Sequence, residues 1–182
     1  MSLVLVCVNI PLVGKILPFL LIIILFGGCS SSQKAVIPDA LSAAPVITGS
    51  VINADAFKKG GMLALGSFKP GPGAAADDET DQLSAMMIKG IKDALPASGT
   101  PFTILPSDQS NSDLFLEGYI EDYGSKGRSA HLSVDGEIWL RETGEKILMF
   151  QTTVVFNLKN QDPKTVAYQI GCAIANFMGG HS

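Results

Sequence analysis

The chain has 182 residues, 47% of them hydrophobic and 16% charged, and a formal net charge of −4. That acidic balance, without a cluster of Lys and Arg anywhere, excludes a nucleic-acid partner of the ordinary basic kind. Three cysteines, Cys7, Cys29 and Cys172, make no disulfide framework.

Residues 1–28 carry a single charge, Lys15. From Lys15 onward the pattern is that of an export signal. One positive charge precedes an apolar run, Ile16 to Phe26, and then Gly27, Gly28 and Cys29 follow. The run is about eleven residues, too short to cross a bilayer unaided. A signal peptidase needs small residues beside its cut, and a cysteine just after the cut offers a thiolate that can be lipidated. Residues 1–28 are therefore expected to be a signal peptide, cut between Gly28 and Cys29. Read instead as an uncleaved anchor, Leu3 to Phe26 has the length, although Asn9, Pro11, Gly14, Lys15 and Pro18 interrupt it. The apolar segment before Lys15 is unusual for a signal, which places the expected translation start at Leu12 or Val13. Removing the signal leaves about 154 residues, the size of one domain and enough for a core without disulfides.

Residues 29–59 are polar, small or punctuated by Pro38, Pro45 and Gly49, and show no sustained helical period. They read as a flexible tether, with a short strand over Val46–Ile52 as a weaker alternative. A domain over 60–182 follows. Met62–Phe68 is a short apolar run behind Gly60-Gly61, as in a buried strand. Lys69-Pro70-Gly71-Pro72-Gly73 reads as a loop. A helix opens at Asp77-Asp78-Glu79, with acids suited to its dipole. Leu83, Met86, Met87, Ile91, Ala94 and Leu95 form its stripe, and Pro96 ends it. Thr100–Leu105 is a second strand, and Ser107–Ser112 a polar loop.

Strict alternation then covers three strands. Leu114, Leu116, Gly118 and Ile120 lie on one side, followed by Ala130, Leu132, Val134, Gly136, Ile138 and Leu140, and by Leu148, Phe150, Thr152, Val154, Phe156 and Leu158. Short connections, including a hairpin turn at Glu142–Glu145, demand an antiparallel meander. Asp162-Pro163 starts a last helix with the stripe Val166, Ile170, Ala173, Ile174 and Phe177, closed by Gly179-Gly180. The predicted order is β-α-β-β-β-β-α. It describes an α+β two-layer sandwich in which two helices cover one face of a mixed, mostly antiparallel sheet.

Chemistry is sparse. Gly71–Ala76 matches G-x-G-x-x-A in form, but three acids open the following helix and Pro72 removes a donor, so a dinucleotide is disfavoured and a plain loop expected. Glu117, Glu121, Asp135 and Glu137 share the polar side of neighbouring strands, as a solvated sheet face would. His131 and His181 show no metal spacing, and no G-x-S-x-G, C-x-x-C or H-E-x-x-H occurs. Cys172, inside an apolar helical pattern and without a basic neighbour, reads as a small residue in or near the core. No catalytic residue, cofactor or metal is expected. Phe115, Tyr119, Tyr123 and Trp139 fall on the polar side and are expected to form an aromatic partner-binding patch, unless another segment packs over them.

Leu25 to Ser32 resembles a bacterial lipoprotein lipobox, with Phe26 where leucine is usual. The resemblance implies cleavage after Gly28, acylation of Cys29 (palmitate included) and, through Ser30, sorting to the outer membrane facing the periplasm. Ser112–Ile120 resembles an "A-D-x-x-x-x-G" strand, and Arg141–Leu148 a "D-x-x-T-G-x-x-L" hairpin, of a lipoprotein group. That group holds the curli secretion lipoproteins, the outer-membrane activators of penicillin-binding proteins and the amino-terminal domain of TolB. It implies a non-enzymatic envelope protein binding a protein partner in envelope assembly or maintenance, a homo-oligomer being compatible. The alternative is a subunit of a curli-type secretion or pore complex, although no extra lipid-facing strand pair is evident.

Overall fold

The computed structural model describes residues 44–105 and 111–181. Along the chain lie β1 (Thr48–Val51), α1 (Ala54–Lys59), β2 (Gly61–Gly73), α2 (Asp78–Ala94), a 3-10 turn (Leu95–Ala97), β3 (Phe102–Ile104), β4 (Leu114–Lys126), β5 (Ser129–Leu140), β6 (Lys146–Asn157) and α3 (Pro163–Gly179). The strands form one mixed sheet in the order β1-β6-β5-β4-β2-β3. β4, β5 and β6 are the expected antiparallel meander, and β1 pairs antiparallel with β6. β2 lies parallel to both β3 and β4, because the helix α2 returns the chain in the same direction. The α+β class and the run β-α-β-β-β-β-α from β2 onward agree with the sequence.

Alternation decides which face is buried. Leu114, Leu116, Ile120, Leu132, Ile138 and Leu148 are fully buried and join one core with the stripes of α2 (Leu83, Met87, Ile91) and α3 (Val166, Ile170, Ile174). Both helices start on aspartate caps. Asp77 accepts from the Thr80 N–H and Asp162 from the Thr165 N–H. Gly118 and Gly136 stand opposite each other on the buried face. A Cβ on Gly118 would lie 2.3 Å from the Phe68 ring and one on Gly136 2.4 Å from the Phe150 ring, so the two glycines make the notch that these rings fill.

Two stretches depart from the expected elements. Residues 48–59 belong to the domain and not to a tether. Thr48–Val51 pairs with β6, and α1, capped by Asn53, buries Phe57 edge-on against Phe102 with ring centroids 5.0 Å apart. Residues 69–73 are strand and not loop, since Lys69, Pro70 and Gly73 pair with Tyr119, Ile120 and Asp122 of β4. Pro70 and Pro72 are tolerated because β3 pairs with β2 only at Gly61–Leu63, leaving a free edge beyond where no N–H is needed. The G-x-G-x-x-A match thereby lies partly in a strand. The signal segment, Gly28, Cys29 and the tether as far as residue 43 lie outside the described residues.

Candidate functional site: the open face of the sheet

The side chains that alternate with the core ones face away from it. On β4 they are Phe115, Glu117 and Tyr119, on β5 His131 to Trp139 at odd numbers, and on β6 Met149, Gln151, Thr153 and Val155. All are partly or fully exposed. Phe115 and Trp139 are direct cross-strand partners with ring centroids 5.1 Å apart and planes tilted by 49°. The Arg141 guanidinium lies 5.9 Å from the Phe115 centroid, a cation over an aromatic face.

The next row along the strands is charged. Glu117 stands directly opposite Glu137, a repulsive cross-strand pair. Lysines from the flanking strands offset it, Lys69 of β2 bonding Glu117 and Lys146 of β6 bonding Glu137. The hydrogen bond to its glutamate, then that glutamate's charge, holds each lysine above its ordinary pKa. Tyr119, 38% exposed, occupies the row beyond, opposite Asp135, which in turn stands opposite Gln151. The aromatic residues are therefore not one patch. Phe115 and Trp139 touch, and Tyr119 is separated from them by the charged row.

Tyr123 is not on this face. β4 bulges between Ile120, which pairs with Val134, and Asp122, which pairs with Ser133, so Glu121 is an extra residue. One extra residue reverses the alternation, and Tyr123 comes opposite the buried Leu132. Its hydroxyl donates to Glu79 Oε1 at 2.7 Å in the first turn of α2. Burial, reinforced by that carboxylate, pushes the Tyr123 phenol far above its usual pKa. The bulge also brings Glu121 beside Asp135. Burial first, and Glu121 second, raise the Asp135 carboxyl above the ordinary range, and its Oδ1 has no hydrogen-bond partner among the described residues.

A groove of about 500 Å³ runs over this region, lined by Thr48, Ser50, Tyr119, Asp135, Glu137 and Met149. A smaller one of about 410 Å³ continues it past Glu121, Ser133 and Thr153. Met149 and the lysine partners had no signal in the sequence, because an exposed methionine looks like any strand residue and Lys69 sits among apparent loop residues. His131 Nε2 contacts Asp122 Oδ2 at 2.8 Å. Among the described residues no three His, Cys, Asp or Glu are placed to hold a metal, and no helix is long and apolar enough to cross a membrane. Cys172 is half-buried, its Sγ 3.6 Å from the Gly90 carbonyl oxygen.

No protein-family model and no curated relative matches this sequence. The chain is similar in structure to the PelC dodecamer from Paraburkholderia phytofirmans, with a TM-score of 0.54 and 14% identity over 74% of this chain and 96% of that one. A single-substitution variant of that dodecamer gives 0.52 and 14% over 73% and 97%. The lipoprotein GNA1162 from Neisseria meningitidis aligns at a TM-score of 0.45 and 9% identity, over 64% of this chain and 96% of that one. What this chain shares with the PelC protomer is the fold.

Proposed function

We propose that the protein is a lipid-anchored lipoprotein of the bacterial envelope, held by Cys29 at the periplasmic face of the outer membrane, whose domain binds a protein partner rather than catalysing a reaction. The observation that carries the binding part is the uncovered sheet face. Two helices shield one side of the sheet, while the other presents the Phe115–Trp139 pair and a groove with exposed Tyr119 and Met149. Aromatic side chains with polar neighbours are what interface centres use. The lipobox-like stretch supports the anchor. The dodecameric PelC, with the same fold, supports assembly into a homo-oligomer, and with it the second reading as one subunit of a secretion or pore complex.

A photo-crosslinking residue at Met149 in living cells should give a discrete protein adduct, whereas one at Gln82 on the exposed side of α2 should not. Palmitate labelling should vanish in Cys29→Ala. Equal adducts from the two positions would remove the open face as the partner surface, and palmitate retained in Cys29→Ala would remove the lipid anchor.

A further inference from the structure

One end of the sheet is basic. Lys126 and Arg128 flank Gly127 at the turn between β4 and β5, and Lys159 lies beside them, because the Leu158 N–H donates to the Arg128 carbonyl at 2.9 Å. All three cations are exposed, and none makes an ion pair among the described residues. Leu158, between them, is 37% exposed. Asp162, next along the chain, is already engaged as the cap of α3. This end also projects, since β4 continues past its last pairing with β2 at Gly73↔Asp122.

The groove on the open face has the opposite character. Glu117 and Glu137 have lysines and Asp122 has His131, whereas Glu121 and Asp135 make no ion pair among the described residues, and the charge of Lys146, which bonds Glu137, only reaches Asp135 from the groove's edge. Their apolar neighbours are Tyr119 and Met149, 38% and 44% exposed. A cationic end with an exposed leucine thus matches an acidic groove with an exposed methionine and tyrosine. The two cannot meet within one molecule. Lys126 stands seven residues beyond Tyr119 on the same strand, about 23 Å away at the usual strand rise.

We propose that the basic sheet end of one copy docks into the acidic groove of the next, so that the domain assembles head to tail with itself. This rests on reading the open face as a partner surface and names that partner as a second copy. Lys126 and Arg128 supply the charge that Glu121 and Asp135 lack, and Leu158 covers Met149. Such a contact uses different surfaces on the two copies, so it repeats until a ring closes or a filament grows.

The test is sedimentation velocity of the full chain in detergent. The wild type should be a salt-sensitive multimer. Lys126→Glu with Arg128→Glu should weaken association more than tenfold, and so should Glu121→Lys. Mixing the two variants should restore assembly, because each then meets an opposite charge. Lys126→Gln with Arg128→Gln, which cannot unfold an exposed turn by repulsion, should give an intermediate loss. A wild-type multimer whose mass ignores the turn charges would overturn this docking mode while leaving self-association standing. A wild-type monomer at tens of micromolar would overturn it too, and the crosslinking from Met149 would then judge the open face separately.

Discussion

Ile138 and Trp139 are neighbours in β5 and face opposite ways. Ile138 is fully buried under the helices, whereas Trp139 leans on Phe115 at the edge of the open face. The same alternation thus makes a packed side and a side with groups to spare. The packed side is specified by volume, since every apolar residue there must fill space between sheet and helix. The open side is specified by pairing: ring on ring, lysine on glutamate, and a carboxylate left over.

The comparison breaks most visibly at the packed side. Ile138→Ala should cost about 3 kcal/mol in urea unfolding, the lost transfer energy plus the cavity. Trp139→Ala, although it removes a larger side chain, should cost only about 1 kcal/mol, because the ring is partly exposed and packs on Phe115 rather than in the core. If the tryptophan proved the more costly of the two, the open face would be packed against something in the isolated protein.

Legibility in the sequence followed the same division. The meander was readable because its alternation runs through strands of twelve and thirteen residues. β1 was readable only as the alternative strand over Val46–Ile52, since four largely exposed residues carry no alternation, and α1 was not readable, since six helical residues span less than two turns. The extension of β2 was hidden behind Pro70 and Pro72, which act as breakers only where a neighbouring strand asks for their N–H. Tyr123 was placed on the wrong face because a bulge is one unmarked residue. Nothing about Glu121 distinguishes it from a paired strand glutamate, yet it reverses every position that follows in β4. The open-face acids were visible as a set, but which of them would find a lysine depended on strand order, which local pattern does not carry.

The smallest expected effect is the sharpest probe of the Asp135 carboxyl. Asp135 has a folded pKa above its unfolded one, through burial and then the charges of Glu121 and Glu137. The folded state therefore holds the proton more tightly. Stability from this group is fully present below the unfolded value, about 3.9, and is lost as pH rises through the folded value. At neutral pH the ionised group opposes folding. Asp135→Asn removes that charge and gives Glu121 a donor, so the variant should melt about 1–3 °C higher than the wild type at pH 7. The gain stays small because the carboxyl is only partly buried. It should shrink to nothing near pH 3, where Asp135 is protonated in either state. In the head-to-tail contact proposed above, that charge faces the cations of the next copy. The same variant should accordingly associate less well while melting higher. If it melted lower at pH 7, Asp135 would have a cation or donor within its own chain, and its place as the free charge of the groove would go to Glu121 alone.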